Sequence, residues 1–174
     1  MLTRIFWIEA PRAGRLAIMP RPRAGDWLEA EIAGWKEAGI DAVVSLLERE
    51  ETAELGLGSE AEACHARGLE FVSFPIPDRG VPSSPRDAEA VVGVVVRRLT
   101  AGRAVAIHCR AGIGRSALVA SCVLIRFGYN ASDAFSLITA SRGVSVPDTD
   151  GQRDWVMSFE SAAASLGMLG FAWK

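Results

Sequence analysis

Ala104-Val-Ala-Ile-His-Cys-Arg-Ala-Gly-Ile-Gly-Arg-Ser116 carries a short apolar strand into a loop with two glycines, Gly112 and Gly114, and then into Ser116–Phe127, a segment apolar almost all round. A helix with that pattern is covered on every side, so it belongs at the centre of its domain. A strand that feeds a central helix through a tight glycine loop is the repeating unit of an α/β sheet. The rest of the chain then decides how many such units there are.

Upstream, Ile40–Leu47 contains Ala-Val-Val-Ser-Leu-Leu and reads as a buried strand. Ser59–Arg67 reads as a short helix and Leu69–Phe74 as a further strand. The strand runs into Pro75-Ile-Pro-Asp-Arg-Gly-Val-Pro82, whose prolines and glycine make it a loop. Ser84–Thr100 has the fullest helix signature: Ser84 as cap, Pro85 at the first position and Asp87 in the first turn. Ala88, Val91, Val92, Val95, Val96 and Leu99 follow at helical spacing on one face. At the start, Ile5–Glu9 and Arg15–Met19 read as a hairpin around Ala-Pro-Arg-Ala-Gly, ended by Pro20 and Pro22. Asp26 is placed to cap a helix running to Ala38, stopped by Gly39. Downstream, helices are expected over Ser132–Ser141 and Asp148–Leu166. The latter carries Gln152, Trp155, Val156, Phe159, Ala162 and Ala163 on one face. The expected fold is a single α/β domain over residues 1–174, with a central, largely parallel twisted sheet of about five strands flanked by helices. Residues 1–22 form its N-terminal hairpin and 168–174 a loose tail. Ligands of such sheets lie at the carboxyl ends of the strands, where His108–Ser116 falls.

The 174 residues are 49% hydrophobic and 23% charged, which suits one soluble globular domain without metal or disulfide staples. A net charge of −2 speaks against a general nucleic-acid or anionic-membrane binder. Apolar runs fall far short of the ~20 residues of a membrane span. Cys64, Cys109 and Cys122 are irregularly spaced and suggest no disulfide framework. The start, Met-Leu-Thr-Arg-Ile-Phe-Trp-Ile-Glu, lacks the layout of a secretory signal. These features set the expectation of a reduced, cytoplasmic enzyme; nothing in the sequence speaks to oligomeric state.

The loop itself implies a chemistry. Gly112 and Gly114 let the backbone curl so that successive amides point inward, and the following helix adds its N-terminus; such a nest holds a tetrahedral oxyanion. Arg115, six residues after Cys109, can grip two oxygens of the same phosphate. The same positive field favours the thiolate of Cys109, a nucleophile able to attack phosphorus in line. Ser116 is placed to hydrogen-bond the sulfur and ease its departure, and His108 to order the loop. Arg110, Ala111, Gly112, Ile113 and Gly114, with His108, make up the expected phosphate-binding shell. The Gly-Lys-Ser/Thr ending of a nucleotide-binding loop is absent.

His108-Cys-x5-Arg115-Ser116 resembles the signature of the cysteine-dependent protein tyrosine phosphatases. The chain is similar to their small dual-specificity branch, particularly the cyclin-dependent-kinase-associated phosphatase group. The likeness is strongest at Pro75–Pro82, His108–Ser116 and Arg142–Gln152. It implies a metal- and cofactor-independent phosphomonoesterase acting through a phosphocysteine, on phosphorylated proteins or another phosphomonoester. Phosphotyrosine is the implied substrate, with phosphoserine and phosphothreonine beside it; phosphoinositides and RNA 5′-phosphates are alternatives within the superfamily. Asp78, in the Pro-rich loop, matches the family's mobile general acid, although Ile76-Pro77 stands where tyrosine-specific members have a tryptophan. Asp148 and Asp150 are its competitors, and Gln152 is a candidate to place the hydrolytic water. Arg79, Arg110 and Arg142 suggest a positive rim. Cys64 with His65 supplies too few ligands for a metal, and Cys64 or Cys122 would be the partner if an oxidised Cys109 formed a disulfide. Two rival readings are a phosphate-binding module without turnover and arsenate reduction on a similar loop.

Overall fold

The computed structural model describes residues 3–10, 14–165 and 167. Strands β1 (Phe6–Ile8), β2 (Arg15–Pro20), β3 (Ala42–Ser45), β4 (Glu70–Ser73) and β5 (Ala104–Cys109) form one sheet in the order β1-β2-β5-β3-β4. The β1–β2 pair is antiparallel, while β2–β5, β5–β3 and β3–β4 are parallel. Helices α1 (Leu28–Glu37), α2 (Arg49–Glu54), α3 (Glu60–Ala66), α4 (Pro85–Thr100), α5 (Arg115–Arg126), α6 (Ala131–Arg142) and α7 (Asp150–Ser165) complete the α/β fold expected from the sequence.

Every residue of β5 is buried, because the strand has neighbours on both edges and layers on both faces. Side chains alternate between those faces. Val105, Ile107 and Cys109 join the core under α4–α7, whereas Ala106 joins the second core, built with Ile32 and Trp35 of α1 and Cys64 of α3. His108 consequently faces Trp35, their rings 6.2 Å apart. From Arg115 to Ile125 every residue of α5 is buried, as its unbroken apolar pattern requires.

Local signals explain the helix ends. Ser84 Oγ accepts from the Asp87 amide at 3.2 Å, and Asn130 Oδ1 from the Asp133 amide at 2.8 Å. Gly143, at φ +79°, closes α6 in the left-handed conformation. Several boundaries differ from the sequence expectation. Asp26 does not cap α1: it lies in a 3₁₀ turn, Gly25–Trp27, and α1 starts at Leu28 with Trp27 in the cap position. The strand expected over Ile40–Leu47 is the shorter β3, since pairing with β4 and β5 ends at Ser45. Helix α2 was not expected, its Arg-Glu-Glu-Thr-Ala-Glu run having no apolar stripe. Ala162 faces solvent on α7 although its neighbour Ala163 is buried. The hairpin turn at 11–13, Leu166 and the tail at 168–174 lie outside the described residues.

Candidate active site

Because the sheet is mainly parallel, β2, β3, β4 and β5 all end on one edge, and the segments that follow them converge there. The loop after β5 lies at the centre. Gly112, at φ +67°, passes so close to β2 that a Cβ would stand 2.5 Å from the Met19 carbonyl carbon and 2.7 Å from Pro20 N, so only glycine fits. A cavity of about 210 Å³ opens over the loop, lined by Asp78, Arg79, Cys109, Arg110, Ala111, Ile113, Gly114, Arg115, Asp148 and Gln152. Cys109 is 3% exposed, and its Sγ is 3.4 Å from Ser116 Oγ.

Arg115 is the most heavily bonded side chain of the site. It is 1% exposed. Its two terminal nitrogens donate to Glu51 as a fork, Nη1 to Oε2 at 2.5 Å and Nη2 to Oε1 at 3.0 Å. Nη1 also reaches the Ile76 carbonyl at 2.9 Å, and Nη2 reaches Asp78 Oδ1 at 3.0 Å. Nε has no hydrogen-bond partner among the described residues. Burial disfavours the charge on Arg115, but Glu51, Cys109 and Asp78 more than restore it, and the guanidinium is held firmly protonated. Burial likewise disfavours the Glu51 carboxylate. The hydrogen bonds from Arg115 and the Glu48 amide outweigh this and hold Glu51 below the ordinary glutamate range.

Asp78 enters from the loop after β4. Its side chain is 55% exposed and is bound by Arg115 and by the Arg79 amide at 3.1 Å. Asp148 lines the cavity and pairs with Arg79 at 3.3 Å, so of the two carboxylates that line the cavity Asp78 is the one bound to Arg115. Asp150 is exposed at the first turn of α7 and does not line the cavity. Gln152 is fully buried: its Nε2 donates to the Gly80 carbonyl at 3.0 Å and its Oε1 accepts from the Thr149 amide at 3.3 Å. It ties the Asp78 loop to α7 and lies against Gly114, whose Cβ would meet Gln152 Oε1 at 2.9 Å.

Three sequence expectations are corrected by the placement. His108 does not reach the cavity, because strand alternation turns it to the α1/α3 side, fully buried beside Trp35 and Glu60. Its Nε2 is 3.0 Å from Glu60 Oε1, but the two are not aligned as a hydrogen bond. Arg110 lines the cavity, but its side chain is no free rim charge: it pairs with Glu54 at 3.2 Å and reaches Glu51 at 3.9 Å. Arg142 is no free rim charge either, since it donates to two loop carbonyls, Gly112 O at 2.9 Å and Ala111 O at 3.2 Å. Ser116 bonds the sulfur from beneath the cavity rather than lining it. Glu51 was missed altogether. A glutamate just past the end of a parallel strand is a signal of sorts, but Arg49-Glu-Glu51 reads equally well as surface.

The other two cysteines, Cys64 and Cys122, are fully buried and do not line the cavity. Burial, with Glu60 nearby, pushes the Cys64 thiol up to about 12, and burial pushes Cys122 well above its ordinary value. All three cysteines are free. Among the described residues no group of three His, Cys, Asp or Glu side chains converges as a metal site, and no helix is long and apolar enough to cross a membrane.

A five-stranded, mainly parallel α/β sheet with the Cys109–Arg115 loop at the end of its central strand is the tyrosine phosphatase fold, and solved structures bear this out. Kinase associated phosphatase, crystallised with its catalytic-site cysteine replaced by serine, superposes with a TM-score of 0.86 over 95% of this chain and 98% of that one, at 20% identity. Tk-PTP in its active form gives 0.71 over 85% and 92%, at 28% identity. Among curated proteins, cyclin-dependent kinase inhibitor 3 of Sus scrofa is 28% identical over 132 residues, covering 75% of this chain; the chain spans 62% of that relative's length. Residues 17–129 match the family described as "Tc-R-P: Polymorphic toxin system, DSP-PTPase phosphatase", and the chain belongs to that family of dual-specificity-type phosphatases.

Proposed function

We propose that this protein hydrolyses phosphate monoesters through a phosphocysteine intermediate. The observation that carries the reading is that Cys109, Arg115 and Asp78 line one cavity, with Ser116 Oγ on the sulfur. The dianionic phosphoryl group enters over the loop. It meets the unoccupied Nε of Arg115 and takes the Nη2 hydrogen bond from Asp78, so substrate binding releases the carboxyl group. The Cys109 thiolate attacks phosphorus; the S–P bond forms, the P–O bond to the leaving group breaks, and protonated Asp78 gives its proton to the departing oxygen. Water then attacks the phosphocysteine and passes a proton to Asp78. The S–P bond breaks, and Ser116 donates to the returning thiolate. Glu51 keeps Arg115 in place through both steps.

The substrate class we propose is phosphorylated protein, phosphotyrosine with phosphoserine and phosphothreonine beside it. Support comes from the family and from the chain's likeness to a cyclin-dependent kinase inhibitor and a kinase associated phosphatase. A thiolate mechanism needs a reducing compartment, which fits three free cysteines, and we place the protein in the cytoplasm. The first test is p-nitrophenyl phosphate hydrolysis in EDTA by the wild type and Cys109→Ser. Turnover by the wild type alone is expected. Equal turnover in both would remove Cys109 as nucleophile, and phosphate binding without turnover in the wild type would favour a binding module.

A further inference from the structure

We infer that Arg142 is a positioning residue, which turns the amides of the phosphate loop toward the anion by occupying their carbonyls from outside. The argument starts with the peptide bond. In a trans peptide the C=O of one residue is antiparallel to the N–H of the next, so fixing a carbonyl fixes the following amide. Three successive carbonyls of the loop are fixed on the side away from the cavity. The Arg110 carbonyl accepts from the Arg21 amide at 3.4 Å, the Ala111 carbonyl from Arg142 Nη2 at 3.2 Å, and the Gly112 carbonyl from Arg142 Nε at 2.9 Å. The amides of Ala111, Gly112 and Ile113 therefore face the other way, and Ala111 and Ile113 line the cavity. Without these partners a glycine-containing loop can rotate its peptide planes at little cost, and the oxyanion nest is lost.

The guanidinium is itself held. Arg142 is the last residue of α6 and lies 4.2 Å over the Phe6 ring of β1. No carboxylate pairs with it among the described residues, so its charge is directed at the loop. Arg142 thus holds the loop by its peptide oxygens, while Arg115 is held by Glu51, Asp78 and the Ile76 carbonyl rather than by the loop. A lysine at 142 keeps the charge but lacks the planar fork that spans two neighbouring carbonyls.

This inference rests on the loop being a phosphate cradle, and its test avoids turnover so that the two can fail separately. Cys109 is alkylated with iodoacetate across a pH series, with and without inorganic phosphate, in the wild type, Arg142→Met and Arg142→Lys. In Arg142→Met, phosphate protection is expected to weaken by about tenfold or more, and the alkylation midpoint to move to higher pH. Lysine is expected to restore only part of the protection. Protection and midpoint unchanged in Arg142→Met, or full restoration by lysine, would overturn the role. If the methionine variant does not fold, the lysine variant decides alone: weakened protection supports positioning and wild-type behaviour removes it. Failure of phosphate to protect the wild type would overturn the cradle and this inference with it, whereas protection without turnover would sink only the proposed hydrolysis.

Discussion

The cavity side of the β5 terminus and its α1/α3 side treat buried polar groups in opposite ways. On the cavity side, the Arg115–Glu51 pair is bidentate, and further bonds run to Ile76, Glu48 and Asp78, which leaves only Arg115 Nε of the pair without a partner among the described residues. On the other side, one residue earlier in the strand, His108 and Glu60 approach to 3.0 Å without alignment, and Trp35 Nε1 is also unpartnered. A buried ion pair stabilises only when its geometry is excellent and its remaining groups are satisfied. The cavity side meets that condition, so removing a partner there is expensive. The α1/α3 side does not, so exchanging a charged group for a neutral one there should change little.

The largest expected effect comes from Glu51→Ala. Arg115 is left buried without its main partner, at a cost of about 3 kcal/mol in folding stability, read from the urea midpoint, together with a ~100-fold fall in kcat/KM. The pH dependence has a definite sign. Because the folded-state pKa of Glu51 is lowered, the wild type keeps this contribution above the ordinary glutamate value of about 4.3 and loses it as pH falls toward the lower folded value. Glu51→Gln should lack that acid-side decline. Next is Asp78→Asn, expected to lower kcat on alkyl phosphates about 100-fold and to affect p-nitrophenyl phosphate far less, since its leaving group needs no proton. Equal losses on both substrates would reassign Asp78 to holding Arg115.

Smaller still is Glu60→Gln, expected within about 1 kcal/mol of wild type in urea unfolding and with kcat retained. A loss on the scale of Glu51→Ala would show that the two sides do not differ. The smallest effect is at Cys64. Its pKa is raised on folding, so its contribution is complete below 9.0 and fades as pH climbs toward about 12. Cys64→Ala should flatten that alkaline decline slightly. At neutral pH iodoacetate should label the wild type once, at Cys109.

The same contrast governs what the sequence reveals. The loop from His108 to Ser116 is local: its glycines, thiol and arginine are within nine residues, and strand and helix periodicity on either side gives its setting. Ser84 and its helix were legible for the same reason. Glu51 is 64 positions from Arg115, and nothing in its own surroundings marks it as buried. The turn of His108 away from the cavity follows from strand alternation, but only once Cys109 is known to end the paired segment of β5. Arg142 reads as a rim charge in the sequence because its partners are backbone carbonyls, which carry no sequence signature.

The close seat of Gly112 against Met19 and Pro20 also bears on where the chain can be cut. The family match runs from residue 17 to 129, yet the ceiling of the loop is the end of β2, whose neighbour β1 carries Phe6, and the outer grip comes from Arg142 on α6. A recombinant fragment trimmed to the matched span would keep Cys109 and Arg115 while losing Phe6, Arg142 and Gln152. Such a fragment should express as a signature without a working pocket, and expression boundaries for this protein belong outside β1 and α7.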